Sequence, residues 1–446
     1  MKLTVHKLGR ITDAELDIRP LTVFSGHNGT NKTWLAWALF ELLWPVSTGL
    51  NTMGSMAVSQ GDPLSSSVRD RLKPLFEASA QGTSKATVTL GVDELEVWPE
   101  GTCETKLYHD QLATLLGEKT SIAADARVQL LFSIQEMEAR HDSVVAELEP
   151  ELGRLSITSL WTFTNGLKRT IKRTFTDSQW DEDKLTQVLT WPLRQLLLNV
   201  LCFPADRAGL LLASEGGNSD LDLPHPVTDF LGFMRIMRGA SRRESPLKDA
   251  LLPFLDPITG GNIRFTGDRG EERLVLEIGA GQELPISVAS SLSRSLAGLS
   301  HYIRALASPG DVLLIDELEM NAHPVAQLAL VELMAVMVHH GIRIIFTTHS
   351  PYVIDHLNNL LEAGRAPEAH QAKLANEFRL KTRDAFLPAD KVAVYAFEAT
   401  PDGSEVKVTN AIDPGSGLIT KSTFAPVTQR LSQLFNAALD ASEEKP

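Results

Sequence analysis

The chain has 446 residues, 43% of them hydrophobic and 22% charged, with a formal net charge of −14. That length supports two or three compact units with a sizeable core, and that balance excludes global disorder. An acidic total disfavours a nucleic-acid coat, whose affinity rests on neutralising phosphates, while leaving room for a local basic groove.

From the N-terminus, residues 3–8 and 14–24 read as strands, and the opening stretch lacks the charged, apolar, small order of a secretion signal. A Gly/Asn-rich turn and an apolar helix, WLAWALFELLW, follow; the helix is expected to stop near Pro45. Residues 47–65, rich in Ser, Gly, Met and Asn, read as a loop, Val68–Ala78 as a short helix, and residues 85–100 as a β-hairpin about an acidic turn. Residues 120–200 show apolar spacing of three and four, interrupted by Pro150, Gly153, Gly166 and Pro192. This predicts a helical insertion lobe rather than a coiled coil.

Loops are expected after Phe203, then a short helix around Asp229–Met237 and two strands, NIRFTG and ERLVLEIG. Residues 285–360 run helix, strand, helix, strand, helix. The tail offers two strands, KVAVYAF and EVKVTN, and an amphipathic helix, APVTQRLSQLFNAAL. Neither Leu196–Phe203 nor Leu328–Val338 approaches the ~20 apolar residues of a membrane span. Cys103 and Cys202, with no Cys-x-x-Cys, indicate neither a disulfide framework nor a cysteine zinc site, and a cytoplasmic location without membrane contact is expected.

Chemistry concentrates at three points. LTVFSGHNGTNKTW sets Gly26, His27, Asn28, Gly29, Thr30, Asn31, Lys32, Thr33 and Trp34 between a buried strand and a helix. In that context backbone N–H groups curl around an anion and the helix N-terminus faces it. Lys32 would reach the outer phosphates of a nucleotide and the Thr33 hydroxyl would hold Mg²⁺. Asn31 stands where glycine is usual before the lysine, and asparagine tolerates positive φ better than other side chains. The competing reading is a plain glycine-rich turn.

DVLLIDELEMNAHP supplies the second point. Val312–Ile315 suits a central parallel strand, and Asp316 and Glu317 emerge at its carboxyl end, where ligands of open α/β sheets bind. Asp316 would hold Mg²⁺ through water, and Glu317 would orient or deprotonate an attacking water. The competing reading is a strand that ends in a solvated acidic turn. The third point, RIIFTTHSPYVIDHL, ends a strand in Thr347, Thr348 and His349, a polar cluster that is costly without a polar partner; His349 could sense a terminal phosphate.

In this order the three segments resemble the ABC ATPase superfamily, nearest its RecF/SMC/OLD branch, as Walker A, Walker B with D-loop, and H-loop. ISVASSLSRSLAGLSHYIRALASPGDVLLIDELEMNAHP and FPADRAGLLL further resemble stand-alone AAA-type ATPases of prokaryotic antiviral defence, the group of the PARIS system ATPase subunit. The likeness covers residues 1–45 and 200–360. It implies an α/β fold: an ABC-type (RecF/SMC-like) P-loop NTPase core with a central, mostly parallel sheet, an N-terminal antiparallel β part and a helical insertion lobe. The implied division is 1–110 and 201–385 as the two halves of the core, 111–200 as the lobe and 386–446 as a β/α tail.

The resemblance further implies ATP and Mg²⁺ as cofactors, Glu317 and His349 as catalytic, and Ser290, Ser291 and Ser293 as the serine-rich signature that meets a nucleotide held by a second copy. Asn321 and His323 match the D-loop, and Arg207 matches an arginine near the nucleotide face. The signature lacks glycine, Leu318 stands where proline is usual, and no Q-loop glutamine is assigned. A homodimer or higher oligomer follows, since one chain carries one set of motifs. OLD-type relatives carry a Toprim nuclease with an Asp-x-Asp metal site. None follows Tyr352 here, which implies a separate Toprim-like effector as partner. The alternative is a repair ATPase that grips DNA through Lys168, Arg169, Lys172 and Arg173, or Arg238, Arg242 and Arg243, although solvated surface also accounts for both clusters.

Overall fold

A computed structural model describes residues 2–51, 85–90, 93–97, 104–108, 148–149, 152–156, 200–215, 223–239, 244–267, 272–279, 281–420 and 425–443. In chain order these form β1 (Lys2–Leu8), β2 (Ile11–Asp17), β3 (Leu21–Gly26), α1 (Lys32–Asn51), β4 (Lys85–Leu90), β5 (Asp93–Val97), β6 (Glu104–Tyr108), β7 (Leu148–Glu149), β8 (Leu152–Ser156) and β9 (Val200–Phe203). Next come α2 (Arg207–Glu215), α3 (His225–Gly239), α4 (Lys248–Thr259), β10 (Asn262–Thr266), β11 (Arg273–Ile278), β12 (Gln282–Pro285) and α5 (Ser291–Ala305). The remainder is β13 (Val312–Ile315), α6 (Pro324–His339), β14 (Arg343–Thr348), α7 (Pro351–Arg365), α8 (Glu368–Leu374), β15 (Val392–Ala399), β16 (Val406–Asn410) and α9 (Ala425–Glu443).

Among the described residues, thirteen strands join in one sheet, ordered β7-β8-β6-β5-β4-β1-β2-β16-β15-β3-β14-β13-β9. Its centre is parallel: β9, β13, β14, β3 and β15 all run the same way. Beyond β16 the pairing of β2, β1, β4 and β5 is antiparallel, and β4 and β5 form the expected hairpin. The architecture is therefore the anticipated α/β one, with a parallel centre and an antiparallel extension.

Parallel strands covered on both faces must be apolar at every position. In β13, Leu313 and Ile315 pack into one core with β14, α4, α5, α6 and α7, while Val312 and Leu314 pack into the other with α1, β1 and β2. The tail strand β15 is built into this centre, with Val392 opposite Leu21 and Phe397 opposite Gly26. Among the described residues no helix is long and apolar enough to cross a membrane.

Several local expectations are corrected. Residues 14–24 are two strands: Arg19 N–H donates to Thr22 Oγ1 at 2.9 Å beside Pro20, and the buried Ile18 had carried the apolar pattern across that turn. Helix α1 passes Pro45 and ends at Asn51, because a proline removes only one helical hydrogen bond; residues 47–51 are therefore helix, not loop. The segment after Phe203 contains α2 rather than only loops, its first turn closing on the Pro204 and Asp206 carbonyls. Helix α4, with Pro253 and Pro257 inside it, has no counterpart in the sequence reading.

Residues 148–149 and 152–156 are strands where the sequence pattern is helical, since Leu107 and Leu155 pair in a ladder that local spacing does not reveal. The rest of the expected helical lobe, the helix at 68–78, and the basic residues 168–173 and 242–243 lie outside the described residues.

From Ala329 to Val338 helix α6 is buried and apolar except for one charge. Glu332, 0% exposed, accepts hydrogen bonds from His356 Nε2 at 2.8 Å, Arg379 N at 3.0 Å and Leu380 N at 2.7 Å. It clamps α7 and the loop before residue 381 against α6. Glu332→Leu would strand one buried and two partly buried donors and is expected to lower unfolding free energy by about 3 kcal/mol or more, against a smaller loss for Glu332→Gln. Urea titration of both variants measures the difference; equal midpoints would exclude the clamp.

Candidate functional site

The parallel strands β3, β14 and β13 end level with one another at one sheet edge, in register Ser25↔Thr348 and Phe346↔Ile315. Whatever follows each strand is therefore delivered to a single place, and the three chemistry-bearing segments of the sequence meet there.

The turn after β3 is shaped by Gly26 and Gly29. Gly26 has φ +154°, and a Cβ there would lie 2.4 Å from the Phe397 carbonyl oxygen on β15, so any side chain would force strands apart. Asn31, in the position where glycine is usual, adopts φ +62°, and its Oδ1 accepts Arg10 N–H at 3.2 Å. His27, Asn28 and Gly29 form an exposed tip over the buried Thr30 and Lys32. Helix α1 then starts at Lys32, so the amides of Lys32, Thr33 and Trp34 belong to a first turn without intrahelical acceptors.

Lys32 Nζ donates to the carbonyls of Gly26 at 3.0 Å and His27 at 2.8 Å and to Thr30 Oγ1 at 3.2 Å. These acceptors are neutral dipoles, and burial lowers its pKa to about 8 against the pull of Asp316, Glu317 and Glu319. It remains cationic at neutral pH.

Asp316 faces the loop from β13. Its Oδ1 accepts Thr33 Oγ1–H at 3.0 Å and Thr347 Oγ1–H at 2.6 Å, and Thr347 Oγ1 accepts Glu317 N–H at 2.8 Å. Burial raises the Asp316 pKa, while the two hydroxyls, Arg207 and Lys32 pull it down. Glu317 is held at φ +48°, and burial together with Asp316 and Glu319 raises its pKa, which strengthens it as a base. Hard oxygen donors on Thr33 and Asp316 converging beside a phosphate-type loop fit a Mg²⁺ ion, which takes few protein ligands and keeps water and phosphate oxygens for the rest.

His349 stands between cation and carboxylate, with Nδ1 3.5 Å from Lys32 Nζ and Nε2 3.5 Å from Glu317 Oε1. Burial and the Lys32 charge lower its pKa to about 4, so it is neutral at pH 7.

Two further residues join the site without having been singled out in the sequence. Glu319 Oε1 accepts His349 N–H at 2.5 Å, and burial raises its pKa. Its placement two residues after Glu317 is the signal that could have found it. Arg10, in the β1–β2 turn, sets NH2 3.2 Å from the position a Gly29 Cβ would take, a proximity no local pattern encodes.

The serine segment is divided. Ser290 caps α5 by accepting Ser293 N–H at 3.1 Å, and Ser290 and Ser291 are exposed. Ser293 is buried, with its hydroxyl donated to the Thr259 carbonyl at 2.9 Å, so that side chain is committed within the fold. Among the described residues no hydrogen bond joins these serines to the loop around Lys32. His323 is exposed and caps α6 through Val325 N, while Asn321, exposed at φ +65°, donates Nδ2–H to Ser295 Oγ at 2.7 Å. Arg207 is buried behind the end of β13 rather than on the open face.

The His349 shift has a pH consequence. Between its ordinary 6.5 and about 4, the unfolded chain binds a proton that the folded chain refuses, so its stability contribution is whole above pH 6.5 and is lost as pH falls toward 4. The raised carboxyl pKa values of Asp316, Glu317 and Glu319 act with the opposite sign, so a comparison of variants is needed. Urea midpoints should fall more steeply between pH 6.5 and 4 for the wild type than for His349→Gln; parallel curves would contradict the placement.

The AAA_21 family model, an AAA domain of the AbiEii-toxin, Type IV TA system description, matches residues 236–355. No curated protein matches the sequence. Among solved structures, the SmcHead bound to the C-winged helix domain of ScpA is 10% identical with TM-score 0.42, covering 92% of this chain and 96% of that chain. The SMC head domain from Thermotoga maritima is 9% identical with TM-score 0.35, covering 92% and 97%. The Smc head domain with an extended coiled coil bound to the C-terminal domain of ScpA derived from Pyrococcus furiosus is 10% identical with TM-score 0.38, covering 97% and 98%.

Proposed function

We propose that the chain is an ATP-binding and ATP-hydrolysing switch of the ABC/AAA type. The observation that carries the reading is the Thr33 hydroxyl 3.0 Å from the Asp316 carboxylate, with Lys32 buried beside them. Residues 283 positions apart in sequence are thereby combined as an anion-binding loop, a cation and a hard-ligand pair in one pocket.

In this reading the loop amides and Lys32 bind the phosphates, and incoming phosphate oxygens replace the neutral acceptors now around Nζ. Thr33 and Asp316 would hold Mg²⁺, which supplies charge neutralisation of the phosphate oxygens. Glu317 takes a proton from, or orients, the attacking water. His349 stands neutral between Lys32 and Glu317 and contacts the terminal phosphate without adding a charge. Ser290 and Ser291, exposed at the start of α5, are available to a nucleotide held by a second copy, so assembly as a homodimer or larger accompanies ATP binding.

The finer reading is a sensor of antiviral defence that controls a separate Toprim-like nuclease. It is supported by the resemblance of the 200–360 region and by the toxin–antitoxin description of the matched model. No described residue favours direct DNA binding.

Lys32→Ala is expected to weaken ATP binding by at least about tenfold, and Glu317→Gln to lower kcat about a hundredfold or more while ATP still binds. Light scattering with ATP should find the Glu317→Gln protein in a larger assembly. Normal turnover in both variants would end the reading. Because phosphate raises the pKa of a lysine that stands at about 8 in the free site, ATP binding above pH 8 should take up a proton. Calorimetry in two buffers of different ionisation enthalpy reads this directly, and identical heats would contradict it.

A further inference from the structure

Arg207 is the first residue of α2 and is 2% exposed. A guanidinium carries five N–H donors in a fixed fork. Here the contacts match that number. Nε donates to the Ser295 carbonyl at 3.2 Å, NH1 to those of Pro204 at 3.2 Å and Asp316 at 2.8 Å, and NH2 to those of Glu317 at 3.1 Å and Leu318 at 3.3 Å. Every acceptor is a backbone carbonyl, so the buried cation is held by aligned dipoles and by the fields of Asp316, Glu319 and Glu317 rather than by a direct ion pair.

The three consecutive carbonyls are those of the turn that aims the acidic side chains. Glu317 sits there at φ +48°, a conformation unfavourable for a non-glycine residue that persists only where its surroundings over-determine it. Arg207 supplies that over-determination, since a fixed fork that grips residues 316, 317 and 318 together cannot follow a peptide flip. The fourth N–H reaches α5 at Ser295. Asn321, past the same turn, returns a second link to α5 through the Ser295 hydroxyl.

We propose that Arg207 is a positioning residue: it holds the Glu317 turn in its reactive geometry and ties that turn to α5, so that loosening this grip alters hydrolysis without altering ATP affinity. This rests on the ATPase reading above. A lysine at 207 keeps the charge but cannot hold three successive carbonyls, which makes Arg207→Lys the informative variant.

The test compares steady-state hydrolysis and equilibrium ATP binding in the wild type, Arg207→Lys, Glu317→Gln and the double variant. Asn321→Gly is included because it keeps positive φ while removing the second link. Arg207→Lys should bind ATP within about twofold of wild type while its kcat falls about tenfold to a hundredfold. The double variant should be no slower than Glu317→Gln alone, because Arg207 acts through Glu317. Asn321→Gly should lower kcat about threefold at unchanged affinity, and it decides the matter if Arg207→Lys does not fold.

An unchanged kcat in Arg207→Lys, or a kcat loss matched by an equal loss of ATP affinity, overturns the role. So does an additive double variant, or, where Arg207→Lys does not fold, an Asn321→Gly protein with wild-type kcat. A wild-type chain that neither binds nor hydrolyses ATP removes the parent reading and this role with it. An active wild type with an unaffected Arg207→Lys removes only the role.

Discussion

A carboxylate withdrawn from water is unfavourable by several kcal/mol unless its lone pairs and charge are met. Asp316, 5% exposed, is the group that imposes this condition on the site. It is met by hydroxyls from two other segments, Thr33 at the start of α1 and Thr347 at the end of β14, and by the charges of Arg207 and Lys32. Those four residues can surround one carboxylate only because β3, β14 and β13 are parallel and end together. The apolar strands are thus the means by which a buried acid, a buried base and a neutral histidine share one pocket.

The same crowding explains where the backbone is strained. Five described non-glycine residues have positive φ, and three of them, Asn31, Glu317 and Asn321, belong to this site. Asn31 is tied to the β1–β2 turn, Asn321 to α5, and the Glu317 turn to Thr347 and Arg207. Strain of this kind is stable where neighbouring elements cannot relax, and here those elements come from both faces of the sheet. Functional geometry and packing are consequently the same problem at this edge.

Much of the centre was legible because its constraints are local. A strand buried on both faces is apolar throughout, so Val312–Ile315 announces itself, and an abrupt polar residue at the end of such a run signals a partner. The prolines misled because their effect depends on context. Pro45 lies inside a helix, and Pro253 and Pro257 lie inside another, so a proline is not by itself the end of a helix. The serines at 290–293 looked equivalent in sequence, yet capping geometry buries Ser293 and leaves Ser290 and Ser291 outside.

The order of residues by itself determined the parallel α/β core, the turn after β3, the acids after β13 and the histidine after β14, because each depends on period, glycine placement and strand ends within a short window. Only the tertiary structure decided that Glu319 supports His349, that Arg10 lies against the phosphate-type loop, and that Arg207 spends all its donors on the carbonyls of the acidic turn and its surroundings. Those contacts join residues up to 111 positions apart, and their energy comes from burial and directed hydrogen bonds that exist only once the sheet has brought its strand ends into register.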